Sequence, residues 1–185
     1  MLASAERLFR TQGFRVTTIR QIAADAEVST GTVMAVGDKD TLLVAIFDGW
    51  IASVHSDRNA EHGDNRTSRT PAATVRDVLD LFEPFIRYFA LDPGLSREYA
   101  AILVRGNHES AIFQNLAAAL LAELEEVLSR SGLTRAGAGR GARVVYFAYL
   151  GLLMTAAGGA VDTQAAIDQL RQVVSFVVSC PGGEE

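Results

Sequence analysis

Apolar residues recur every three or four positions along most of the chain, the spacing that lines one face of a helix. Strand-like alternation between turn signals is hard to find. Leu2, Ala5, Leu8 and Phe9 mark the inner face of a first helix, which Gly13 ends. Thr17 or Thr18 is placed to cap a second helix, with Ile19, Ile22, Ala23 and Ala26 inward. The short turn at Glu27, Val28 and Ser29 leads to a third helix, Thr30 to Val36, which Gly37 stops. Asp38 is placed to cap a fourth, in which Leu42, Leu43, Ile46, Phe47, Trp50, Ile51 and Val54 keep to one face.

The pattern breaks from Ser56 to Ala73, a polar, charge-mixed stretch with Gly63 and Pro71 that predicts a loop. Longer and more apolar helices are expected at about Thr74 to Ala90, with a kink at Pro84, then Leu95 to Arg105 and Ala111 to Ser131. The glycines between Arg135 and Gly141 read as a turn, followed by helices at about Ala142 to Gly158 and Thr163 to Ser179. The expected architecture is all-α. A helix-turn-helix domain occupies 1–38, a connecting helix 39–55, and a larger ligand-binding and dimerisation body 56–185.

Composition narrows the functional classes. With 185 residues, 49% of them apolar, the chain can bury a sizeable core. Its net charge of −5 argues against gripping nucleic acid by bulk charge, so DNA binding must come from local geometry. The single cysteine, Cys180, cannot form an internal disulfide and fits a reducing, cytoplasmic setting, and no secretory leader is expected at the N-terminus. Val144 to Val161 is uncharged, but its tyrosines and glycines favour a buried, interface-forming helix over a membrane span.

The second and third helices carry the spacing of a helix-turn-helix. Ala23 is the small crossing residue, and Ile22, Ala26, Val28, Val33 and Val36 are the apolar pins. Around them stand Ala5, Leu8-Phe9, Gly13-Phe14, Thr17-Thr18-Ile19-Arg20, Val28-Ser29, Gly31-Thr32-Val33, Lys39 and Leu42-Leu43. This set, dense over about 45 residues, resembles the N-terminal domain of the TetR family of one-component transcriptional regulators. The resemblance implies a homodimer that places one recognition helix in each half-site of a double-stranded operator, and a body whose small hydrophobic effector releases the DNA, so that the protein acts as a repressor. It implies DNA contacts from Thr17, Thr18, Arg20, Thr30, Gly31, Thr32, Met34, Ala35 and Lys39. Hydroxyls at helix starts suit phosphate, and Lys39, in the first turn of the fourth helix, is expected to do the same.

Where the family continues its third helix into a tyrosine and then a phenylalanine, this sequence has Met34 and Gly37, and one residue is missing before Lys39. Two readings follow. In one, Val36 and Met34 take over the apolar anchoring, and bases are read through methyl contacts. In the other, the DNA-binding domain is disabled and the fold serves as a carrier of hydrophobic ligands.

Aromatic residues gather in the body. Trp50, Phe82, Phe85, Phe89, Tyr99, Leu103, Phe113, Tyr146 and Tyr149 are the candidate pocket for an uncharged, hydrophobic ligand. Gly151 and Ala156, with Ile167, Leu170, Val174 and Val177, are the candidate dimer face across the last two helices. Enzyme signals are poor: His55, His62 and His108 lack ligand spacing, the acidic cluster Glu123, Glu125 and Glu126 suits a solvated helix face, and no cofactor or metal is expected.

Overall fold

Short helices come first and long ones follow. A computed structural model describes residues 1–61, 70–105, 111–157 and 162–179. Its regular structure, among those residues, is nine helices: α1 (Leu2–Gln12), α2 (Ile19–Asp25), α3 (Thr30–Val36), α4 (Lys39–Glu61), α5 (Pro71–Leu91), α6 (Pro93–Arg105), α7 (Ala111–Arg130), α8 (Arg135–Ala157) and α9 (Thr163–Ser179).

Helices of seven residues do not hold themselves together in water, so α2 and α3 depend on caps and on their neighbours. Thr18, not Thr17, caps α2. Gln21 N–H donates to its hydroxyl at 3.2 Å, and Thr18 N–H donates back to Gln21 Oε1 at 2.8 Å, a closed capping box. Ser29 caps α3 by accepting from Thr32 N–H at 3.0 Å. Between the two helices Glu27 takes a φ of 54°, and Val28 N–H returns to the Ala23 carbonyl at 3.0 Å. At the far end of α3, Gly37 has a φ of 153°, and a Cβ there would lie 2.5 Å from the Thr41 side chain. Only glycine fits that corner.

Two elements differ from expectation. α4 runs on to Glu61 and Pro71 opens α5 with Thr70 as its cap, so both ends of the loop predicted from Ser56 to Ala73 are helical, and its middle lies outside the described residues. Proline suits a first helical turn, where its missing N–H has no partner to lose. Pro84 lies inside α5 and does not end it. The glycine stretch from Arg135 to Gly141 is not a turn but the first turns of α8. A Cβ on Gly141 would sit 2.7 Å from Val177 Cγ1 and 3.2 Å from Leu128 Cδ1. Glycine is there because α7 and α9 press close on α8, and packing overrides its weak helix propensity.

The core falls into two clusters. One holds Phe9, Ile22, Val33, Leu42, Leu43 and Phe47 from α1 to α4, closed by Tyr88, Leu95, Tyr99 and Ile102 from α5 and α6. The other holds the inner faces of α5, α7, α8 and α9. Trp50 and Phe89 pack against both. No helix among the described residues is long and apolar enough to cross a membrane.

Candidate functional site

α3 buries one side chain, Val33, and opens everything else to solvent. Thr30, Gly31, Thr32, Met34 and Ala35 are exposed together, Met34 to 67%. Val36 is also exposed, so neither it nor Met34 anchors the helix, and the repacking expected of them does not occur. Anchoring falls to Val33, Ile22 and Ala23, which meet where the two helices cross. The Thr32 hydroxyl lies 2.8 Å from Ser29 Oγ and so belongs partly to the cap. Thr17 faces inward. It is 1% exposed, and its hydroxyl donates to the Gly13 carbonyl at 2.8 Å. The hydroxyl predicted for a phosphate is thus spent on ending α1.

Five cationic side chains lie within residues 1–39: Arg7, Arg10, Arg15, Arg20 and Lys39. Arg7 pairs with Asp25. That guanidinium, by hydrogen bonding, holds the Asp25 carboxyl below its ordinary range. Arg10 bonds Glu6 and donates to Tyr88 Oη at 3.1 Å, and Arg15 bonds Glu98 of α6 at 2.6 Å. Lys39 turns inward: its ammonium donates to the carbonyls of Phe14, Arg15 and Thr17 at 2.8, 3.1 and 3.1 Å. It does not stand open at the domain surface as expected. Arg20, exposed at the start of α2, has no ion pair among the described residues.

In the body, four predicted residues do meet around one cavity. Phe85, Phe89, Tyr146 and Tyr149 line it, with Ile51 of α4 and Leu120 of α7 among their aliphatic neighbours. Its volume is about 20 Å³, room for little more than one water. Burial raises the pKa of Tyr146 and Tyr149, so both hydroxyls are neutral at ordinary pH.

The other predicted pocket residues lie elsewhere. Phe82 is fully buried against Tyr149, ring centroids 4.4 Å apart. Trp50 stacks on Tyr88 at 3.4 Å, Tyr99 stacks on Phe47 at 4.3 Å, and Leu103 packs on the N-terminal cluster. The side chain of Phe113 falls outside the described residues, as do those of His55, His62, His108 and Cys180. Sequence reasoning missed Ile51, Leu120 and Leu153, because an aliphatic residue on an inner face carries no mark that separates cavity wall from packed core.

The predicted dimer face divides. Ile167, Leu170, Val174 and Val177 are buried within the protomer, where α9 packs on α5 and α8. That stripe is monomer core. The apolar side chains left open are Val144, Phe147 and Met154 on α8, in line with exposed Gly151, and Phe176 on α9; half-buried Ala156 lies on another face of α8. Phe147 and Phe176 are 66% and 69% exposed. Sequence periodicity located apolar faces on both helices but could not say which face looks outward.

The family model described as "Bacterial regulatory proteins, tetR family" matches residues 1–46. No curated protein matches the chain. Among solved structures, a TetR-like transcriptional regulator from Rhodococcus sp. RHA1 is similar at 23% identity and a TM-score of 0.58, over 94% of this chain and 90% of that one. A TetR transcriptional regulator from the same organism is similar at 18% identity and a TM-score of 0.61, over 96% and 91%. A glutamine-to-alanine variant of TetR from Acinetobacter baumannii AYE, in complex with minocycline, is similar at 15% identity and a TM-score of 0.58, over 96% and 92%. Residues 1–46 therefore match the N-terminal domain of the tetR family, and the chain as a whole shares its fold with these regulators.

Proposed function

We propose that the chain is a ligand-responsive, DNA-binding transcriptional repressor that works as a cytoplasmic homodimer. Residues 1–38 form its DNA-binding unit, 39–55 the connector and 56–185 the effector-binding body. The observation that carries this reading is α3. Its seven residues bury one side chain and leave the rest bare, in a domain that matches a family of regulators. Thr30, Gly31, Thr32, Met34 and Ala35 face the major groove, where a methionine and small side chains suit thymine methyls. Thr18 and Arg20 lie toward the phosphates. Such a surface selects by shape and methyl contact more than by a hydrogen-bond code.

The effector is apolar and uncharged, because a charge in the cavity would lose its water without gaining a partner. Its binding must enlarge the cavity, and the walls that yield touch α4. Ile51 belongs to α4 itself, while Phe85 meets Trp50 at 5.9 Å and Phe89 meets Phe47 at 5.3 Å. α4 begins where α3 ends, so its displacement re-aims the recognition helix. Trp50 also stacks on Tyr88, whose hydroxyl holds Arg10 of α1. Occupancy and DNA binding thus bias one two-state element.

The two protomers join through the outward stripe Val144, Phe147, Gly151 and Met154 with Phe176. Phe147→Asp is expected to convert dimer to monomer in sedimentation without loss of helix content. A dimer that survives it would move the interface elsewhere.

A gel shift and footprint on DNA flanking the protein's own gene, over a salt series and with a panel of apolar compounds, tests the main reading. Sequence-selective binding relieved by one of those compounds supports it. The second reading, a carrier of hydrophobic ligands on the same fold, is favoured by the lack of any cation or amide on α3. It expects a stable dimer that loads apolar ligand and shows no selective DNA binding even at low salt.

A further inference from the structure

An ammonium group has three hydrogens to donate, and at Lys39 three carbonyl oxygens take them. The acceptors are Phe14, Arg15 and Thr17, 22 to 25 residues upstream, and the nitrogen also lies 4.6 Å from the centre of the Phe14 ring. All three oxygens belong to the irregular segment between α1 and α2, where no helix ladder satisfies them. A cation in the first turn of a helix also sits at the unfavourable end of the helix dipole. Something else must hold Lys39 there, and the loop carbonyls do. Arg15, one of the three residues so held, reaches across to Glu98 of α6, so the same loop touches the body.

We infer that Lys39 is a positioning residue: its ammonium staples the segment 14–17 to the start of α4 and so fixes how α2 and α3 are presented. It contributes no phosphate contact. With its donors filled and the ring beneath it, reaching DNA would mean abandoning three charge-assisted bonds to make one. Charge at the operator backbone is met by Arg20 instead. The binding arm of this inference rests on the proposed function; the folding arm does not.

Lys39→Met keeps an unbranched apolar side chain of similar length and removes the donors. Lys39→Arg keeps the charge but replaces three convergent donors by a planar fork. In the full chain, Lys39→Met is expected to lower the thermal midpoint by about 2–4 °C, the shift that about 1 kcal/mol makes in a chain of this length. It should also speed amide exchange at Thr17 and Thr18 at least tenfold, and Lys39→Arg should not restore either property. On operator DNA, Lys39→Met should weaken binding by the same factor at every salt concentration. Arg20→Gln should instead flatten the plot of log affinity against log salt by about 0.9 for each protomer. The inference is overturned if exchange at Thr17 and Thr18 is unchanged in Lys39→Met. It is equally overturned if that variant flattens the salt plot and Lys39→Arg restores it. If the wild-type chain binds no DNA, the regulator reading fails, and the midpoint and exchange rates still decide the role of Lys39.

Discussion

The two buried clusters are held by different means. The N-terminal cluster sets the short helices α1 to α3 against α4 and is tied by polar bonds: the Thr18–Gln21 box, Thr17 on Gly13, Lys39 on three carbonyls, Arg10 on Tyr88 and Arg15 on Glu98. The body cluster comes from helices of 17 to 23 residues in α5, α8 and α9 and is held by apolar contact at close range. Polar ties are directional and fix an exact surface on helices too short to be stable alone. Apolar packing is non-directional, and it lets a body open around a guest without losing its fold. The difference matches the tasks proposed for each half.

The strongest way to break this contrast is at Phe82, fully buried among α5 and α8 residues. Phe82→Ala should cost about 3–5 kcal/mol in urea unfolding. A loss near 1 kcal/mol would mean that the body is not packing-limited. Next comes Gly141, where an added methyl meets Val177 and Leu128. Gly141→Ala should lose about 1–3 kcal/mol by overpacking. Gly49→Ala in α4, with nothing within 4 Å of its Cβ, should instead gain about 0.5–1 kcal/mol from helix propensity. Equal effects at the two glycines would remove the close-approach argument for α8. At the polar end, Thr18→Ala should cost about 1 kcal/mol, with faster amide exchange confined to α2 and the turn after it.

A pH effect is expected on the alkaline limb. Burial raises the pKa of all four tyrosines, Tyr88, Tyr99, Tyr146 and Tyr149, above the ordinary 10.0, with Asp48 adding to the shift at Tyr99. Above pH 10 the unfolded chain gives up protons that the folded chain keeps. Stability is therefore full below about pH 10 and falls as pH rises past it. Absorbance titration of the folded protein should show no tyrosine ionising at its usual midpoint. One that does would be more exposed than its neighbours here.

Local signals in the sequence were read well where the physics is local. Gly13 and Gly37 as helix ends and Asp38 as the cap of α4 depend on residues within four positions. What escaped depends on distant partners. Lys39 looks exposed in sequence because its acceptors lie in another segment. Gly141 of α8 looks like part of a turn because the pressure of α7 and α9 is not written beside it. Ile167, Leu170, Val174 and Val177 form a clean stripe, yet a stripe carries no label for which surface covers it. The cavity was half legible: aromatic residues announced it, but Ile51 and Leu120 share the spelling of ordinary core.

Trp50 is the chain's single tryptophan, stacked at 3.4 Å on Tyr88 and edge-on to Phe85 of the cavity wall. The protein's indole emission therefore comes from one known place, on the helix that joins cavity to recognition helix. Displacing Phe85 unstacks or re-stacks that ring, and the emission changes with it, before any DNA is added. The molecule carries its own optical gauge of the state of α4, and compounds can be screened by colour alone.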